Sequence, residues 1–351
     1  MVLGRSCVGR TGFGAKCLDP ARGFAWVSGF AFRPKYPGKT SSYCAAANRV
    51  LDRLIEQKID RSSRLPSPWA PVMWYECDLT RLPDHLQDFF FQCYQDPATE
   101  EFLENCHAKS DWIITQLAHV FFKVFLSIFM TKTSVNGVLG RGSMFVFSSQ
   151  QFQDLMQIQD GWKAGKLLDL GAGDGMVTKF MEPYFEEIFA TEMSPPMRWR
   201  LENRGYKVLE IDEWSDGSRQ YDVISCLNLL DRCDKPLTIL KDIRKSLVPD
   251  TGKLILAVVI PFKPYVEYES EDNWPSELLP VKGRYWEEQV TALIDNVFTP
   301  AGFTVLKFTR LPYLCEGDLH SPYYVLDDAL FVLKVTDSSQ SPIRTDCVLE
   351  L

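Results

Sequence analysis

From Lys166 onward the apolar positions fall in short continuous runs rather than in alternation. Lys166-Leu-Leu-Asp169-Leu170, Ile188 to Glu192, Lys207 to Ile211, Tyr221 to Leu227 and Lys253 to Ile260 are such runs. Runs of this length read as strands buried on both faces. Between them, Pro195 to Arg204 and Pro236 to Leu247 carry the helical period, so strand and helix alternate. That alternation predicts a parallel, doubly wound sheet with right-handed crossovers. A helix near Trp286 to Phe298, then Phe303 to Arg310 and Ala329 to Val335, predicts an antiparallel pair at one edge. The expectation is a seven-stranded Rossmann-like α/β sheet.

Upstream the pattern is helical. Leu82 to Tyr94 and Ala98 to Cys106 predict short amphipathic helices, and Trp112 to Met130 a longer apolar one. The last is too short to span a bilayer and contains Lys123, so it reads as a buried or interfacial helix and no transmembrane span is expected. The glycine-rich stretch Asn136 to Ser148 contains one fixed cation, Arg141, as a candidate to reach a bound carboxylate or the substrate. Ser148 or Ser149 is placed to cap a helix through Phe152 and Leu155. The expected organisation is a leader over 1–66, a helical extension or cap over 67–160, the α/β domain over 161–337 and a polar tail over 338–351.

Composition changes the picture in three places. Up to Val50 the chain has Arg5, Arg10, Lys16, Arg22, Arg33, Lys35, Lys39 and Arg49 against one acid, Asp19. Such a leader resembles an organelle-targeting presequence and equally a disordered basic segment. The net charge of −8 disfavours a general nucleic-acid binder. The ten cysteines are scattered without a Cys-x-x-Cys pair and there are four histidines, so no metal site is expected. A monomer is the expected state.

The candidate chemistry begins at Asp169-Leu170-Gly171-Ala-Gly173-Asp174-Gly175. Glycines after a buried strand turn the chain sharply and leave backbone N–H groups facing the space above it. The spacing is Gly-x-Gly-x-Gly, not the Gly-x-Gly-x-x-Gly of a dinucleotide site, and Asp169 and Asp174 would repel a pyrophosphate. They suit a cofactor with an ammonium and a sulfonium, S-adenosyl-L-methionine, and the layout is that of a class I methyltransferase. In an open parallel sheet ligands sit beyond the C-terminal strand ends. There Glu192 is placed for the ribose hydroxyls, Asp212 for the adenine amino group and Asn228 for the methionine end. Asp231 lies one turn beyond Asn228. Pro312 is expected to end a strand, leaving Tyr313 over the cleft with Glu316, Asp318 and Tyr323 around its substrate side. Each of these residues read singly is also a cap or turn residue.

Four stretches carry a more specific signal: Gly-Arg-Gly-Ser-Met-Phe-Val-Phe-Ser from Gly140, Leu-Leu-Asp-Leu-Gly-Ala-Gly-Asp-Gly from Leu167, Tyr-Asp-Val-Ile-Ser-Cys-Leu-Asn-Leu-Leu-Asp-Arg-Cys-Asp from Tyr221, and Phe-Thr-Arg-Leu-Pro-Tyr-Leu-Cys-Glu-Gly-Asp from Phe308. Together they resemble the DREV family of methyltransferases over about Asp111 to Val335. The resemblance implies a protein-histidine N-pros-methyltransferase acting on the second histidine of His-x-His sequences, many of them in zinc-binding proteins. It also implies that Glu192, Asn228 and Tyr313 bind S-adenosylmethionine and that Asp231 faces the substrate imidazole. A neutral imidazole has a free lone pair and needs only the right tautomer, which a carboxylate at its other nitrogen holds. The basic leader differs from the hydrophobic secretory signal of family members, so mitochondrion, endoplasmic reticulum and cytoplasm all stay open. The rival readings are a methyltransferase for a small-molecule or amine acceptor, and a noncatalytic binding module.

Overall fold

The computed structural model describes residues 73–110, 142–266, 272–318 and 321–336. The leader, the expected helix Trp112 to Met130, Arg141 and the tail from residue 337 lie outside the described residues. Among those described, helices run over Asp84–Gln87 (α1), Pro97–Ser110 (α2), Ser149–Met156 (α3), Thr178–Met181 (α4), Pro195–Asn203 (α5), Pro236–Ser246 (α6) and Trp286–Leu293 (α7). The strands are Met144–Phe145 (β1), Ala164–Leu170 (β2), Phe185–Thr191 (β3), Lys207–Leu209 (β4), Val223–Leu227 (β5), Lys253–Ile260 (β6), Phe303–Glu316 (β7) and Tyr323–Val335 (β8).

They form one sheet in the order β1-β7-β8-β6-β5-β2-β3-β4. From β6 to β4 neighbouring strands are parallel; β8 and β7 are antiparallel. These are the seven strands the hydrophobic pattern predicts. The eighth, β1, is a two-residue addition from the glycine-rich stretch, pairing Met144 with Cys315 and Phe145 with Leu314. The order reverses between β2 and β5, which places a ligand crevice above their C-terminal ends.

Alternate residues of the central strands feed two cores. Leu168, Leu170, Ile224, Cys226, Leu254, Leu256 and Val258 pack with α6 and α7 on one face. Leu167, Val223, Ile255 and Ala257 pack with α3 and α4 on the other. Burial on both faces is why these strands are continuous apolar runs. On the second core Ser148 caps α3 in a reciprocal capping box with Gln151, at 3.0 Å in each direction.

The expected helix over Leu82 to Tyr94 is not formed as a unit. Only α1 is helical there, because the chain then runs along the edge of β7: Phe308 N–H donates to Phe89 O and Phe91 N–H to Phe308 O. That pairing satisfies the edge of β7 and sets the Phe90 ring 5.6 Å from that of Phe308. Strand β7 also runs past Pro312 instead of ending there. Phe308 and Glu316 direct their N–H groups outward, to Phe89 and Ser143. Pro312 shares that parity, so its missing N–H costs no bond to β8.

Candidate active site

The turn after β2 is built on three residues with left-handed backbone: Gly171 at φ +69°, Gly173 at +56° and Gly175 at +75°. They differ in what surrounds them. A methyl at Gly171 would lie 3.3 Å from Leu229 Cδ1, and one at Gly175 would lie 2.9 Å from Leu201 Cδ2. At Gly173 it would meet nothing within 4 Å. Gly171 and Gly175 are packed against the fold, while Gly173 faces open space above the sheet. A cofactor seated over a bare backbone requires that arrangement.

Three carboxylates hold the turn. Glu192, the residue after β3, accepts Gly173 N–H at 3.0 Å on Oε2 and Ser194 N–H at 2.8 Å on Oε1. It is thereby fixed beside the glycine turn at the crevice. Asp169 sits lower and is buried. Thr178 Oγ1 donates to its Oδ2 at 2.6 Å and Ser225 Oγ to its Oδ1 at 2.7 Å. Burial pushes its carboxyl up to about 6, with both hydroxyls opposing. Asp169 therefore braces the turn between α4 and β5, with both oxygens engaged by the protein. Asp174 closes the turn by accepting Met176 N–H at 3.1 Å, and Ser143 Oγ donates to it at 3.3 Å. The segment leading into β1 is thus tied to the glycine turn.

Beyond β5 the chain forms the second half of the crevice. Asn228 is left-handed, φ +54°, and its N–H donates to Ala257 O at 2.9 Å. Its Nδ2 donates to Asp328 Oδ2 at 2.8 Å. Asp231 is 3% exposed, with Oδ2 3.3 Å from Arg232 Nε. Asn228 Oδ1, Asp231 Oδ1 and Asp328 Oδ1 are all buried without a hydrogen-bond partner among the described residues. Burial raises the Asp231 carboxyl to about 6, opposed by Arg232. Burial raises Asp328 well above the usual range, opposed by the Asn228 bond and reinforced by Asp231 and Asp327. Burial also raises Tyr313, and Cys315, Asp328 and Asp231 add to it. The Tyr313 hydroxyl donates to the Met144 sulfur. These four side chains, from the β5 loop, β7 and β8, make an acceptor-rich pocket whose own donors, Asn228 Nδ2 and the Tyr313 hydroxyl, are already engaged. It fits a ligand bearing N–H groups or positive charge.

Other expected site residues are placed differently. Asp212 does not close a strand: β4 ends at Leu209, Glu210 turns to Arg198 (2.5 Å), and Asp212 lies in an exposed turn. The pairing stops there because β3, the partner strand, ends at Thr191, and Ile211 is left exposed. Glu316 is not on a solvated rim; it is 7% exposed, its Oε2 3.4 Å from Lys109 Nζ of α2. Lys109 covers it because β7 runs on to residue 316 beneath the extension. Asp318 accepts from Tyr324 Oη at 3.0 Å within the β7–β8 hairpin. Tyr323 meets Trp74 and His107 edge-on, at 6.4 and 5.6 Å between ring centres. Thr178, Ser225, Ser143 and Asp328 are the residues a sequence reading misses. For Asp328 the available signal is the acid pair Asp327-Asp328 at the head of an apolar strand, where alternation requires one of the two to face a buried side.

The model of the DREV methyltransferases matches residues 74–335, about three quarters of the chain. The chain belongs to the DREV methyltransferase family. It is also similar to solved structures described as methyltransferases. One from Leishmania major shares 15% identity over 53% of this chain and 71% of that one, with a TM-score of 0.35. The N-methyltransferase NodS from Bradyrhizobium japonicum, solved with S-adenosyl-L-homocysteine, shares 14% over 54% and 85%, with a TM-score of 0.35. A type 11 methyltransferase from Sulfolobus solfataricus shares 14% over 52% and 90%, with a TM-score of 0.32. The DREV-family chain is a class I methyltransferase with S-adenosyl-L-methionine as its cofactor. Among the described residues no helix is long and apolar enough to cross a membrane, and no group of acids, histidines and cysteines could hold a metal ion.

Proposed function

We propose that this enzyme methylates the pros nitrogen of the second histidine in His-x-His sequences of proteins, forming pros-methylhistidine. The observation that carries the reading is Asp231: a buried carboxylate with one oxygen set by Arg232 and the other without a partner among the described residues, in a pocket of acceptors. Glu192 and the backbone at Gly171 and Gly173 would hold the nucleoside end of S-adenosylmethionine, and Asn228 and Tyr313 its methionine end. When bound, this group supplies an electrophilic methyl on its sulfonium.

The roles of the chain's own residues follow from the acceptor's needs. The pros nitrogen attacks through its lone pair, so the tele nitrogen must carry the proton. Asp231 Oδ1 accepts that N–H, holds the tautomer and faces the positive charge that grows on the ring. The same oxygen then takes the tele proton, leaving a neutral methylated ring. Altered metal binding by methylated substrates, zinc proteins among them, would follow from the blocked nitrogen.

The test is incubation with labelled S-adenosylmethionine and paired peptides containing His-Ala-His or Ala-Ala-His, with the label located by mass spectrometry. Label on the second histidine of the first peptide alone is the expected result. Label on amines or small metabolites with none on either peptide would refute the histidine reading in favour of an amine acceptor.

A further inference from the structure

Asp328 has no assigned role, yet it occupies the most confined position in the pocket. It lies on β8 opposite Val259 of β6, with 0% of its surface exposed. The charged groups acting on it are two more acids, Asp231 and Asp327, and each of those already has its own arginine, Arg232 and Arg310. A buried carboxylate without a cation of its own is costly unless something else compensates it. Among the described residues that compensation is a single hydrogen bond, from Asn228 Nδ2 at 2.8 Å.

The bond decides what Asn228 presents. A side-chain amide has a donor end and an acceptor end, and the donor end meets Asp328 Oδ2. The oxygen of Asn228 is thereby turned the other way. That oxygen is buried and lacks a partner among the described residues. The left-handed backbone at Asn228 and its N–H bond to Ala257 O hold the base of the side chain, leaving amide rotation as the freedom Asp328 removes.

We propose that Asp328 is a positioning residue for the cofactor: by engaging Asn228 Nδ2 it keeps the Asn228 amide oxygen turned into the crevice, as an acceptor for the ammonium group of the methionine end. This rests on Asn228 as a cofactor contact and not on the identity of the methyl acceptor. The ammonium in turn supplies the positive charge that the acid cluster lacks.

The test is titration calorimetry on the full chain with S-adenosylhomocysteine and with its analogue in which hydrogen replaces the amino group. The wild-type protein is expected to prefer the amine by about 10- to 100-fold, the range of a charge-assisted hydrogen bond. Asp328→Leu keeps the branched shape without a charge or an acceptor; it should reduce that preference to less than about threefold while binding the deaminated analogue as the wild type does. Asp328→Asn keeps an oxygen for Asn228 Nδ2 and should retain most of the preference. Equal losses on both ligands in Asp328→Leu would mark a structural role, and an undiminished preference would mark none; either overturns the inference. Should the Leu variant fail to fold, loss of the preference in Asp328→Asn overturns it and retention supports it. A wild-type protein that does not distinguish the ligands would instead remove the cofactor reading of Asn228, and the inference with it.

Discussion

Replacing Asp231 by asparagine tests the proposed chemistry most directly, because it keeps the shape and removes the charge. The side chain is buried, Oδ2 is held by Arg232 at 3.3 Å, and Oδ1 has no hydrogen-bond partner among the described residues. A hydrogen bond to a charged group contributes about 1.5–3 kcal/mol, and each ~1.4 kcal/mol is tenfold in rate. If that bond strengthens as the imidazole becomes cationic, kcat should fall by about 10- to 100-fold. Affinity for S-adenosylhomocysteine, measured by calorimetry, should change by less than about twofold. The pH profile gives a second readout. Below about 6 the Asp231 carboxyl is protonated, and the substrate imidazole is protonated below about 6.5. In the wild type log kcat/KM should therefore rise with a slope approaching two on the acid side, and in the variant with a slope of one. The assay is initial-rate methylation of a His-Ala-His peptide between pH 5 and pH 9. Wild-type kcat in Asp231→Asn, or an acid limb unchanged in slope, would refute the role.

Three further outcomes follow from the geometry. Gly173→Ala should cost about 1–2 kcal/mol in a urea titration, since only the left-handed backbone is strained, but should abolish cofactor binding; Gly175→Ala should cost several times the stability, because its methyl also meets Leu201 and Arg204. Glu192→Ala removes the acceptor of Gly173 and Ser194 N–H and should raise the dissociation constant for S-adenosylhomocysteine by about tenfold or more, read by calorimetry. Asp169 has its folded-state carboxyl raised from 3.8 to about 6, so its contribution to stability is full below pH ~4 and lost as pH rises through ~6. Relative to the wild type, Asp169→Asn should therefore gain about 3 kcal/mol between pH 3.5 and pH 7, and a difference flat with pH would contradict the buried, raised carboxyl.

The parallel sheet was legible because strands buried on both faces must be apolar without interruption, and the glycine turn because three positions there need left-handed backbone. Glu192 and Asn228 could be placed by counting from strand ends, since chain direction in a parallel sheet carries every C-terminal end to one side. Counting failed where a strand end was set by tertiary pairing. Leu209 ends β4 because its partner β3 ends at Thr191, which leaves Asp212 in an exposed turn; β7 continues through Pro312 because that proline's nitrogen faces the outer edge and no bond to β8 is lost. The extension then covers Glu316, which no local pattern encodes.

What the amino-acid order determined by itself was periodicity, turn chemistry and the motifs of a methyltransferase family, all properties of neighbours along the chain. What only the tertiary structure decided was which acids share a pocket. Asp328 lies 100 residues from Asn228, and their contact exists because β8 returns antiparallel beside β6 and sets position 328 against the end of β5. Burial then leaves three oxygens without donors among the described residues, a deficit absent from any local pattern.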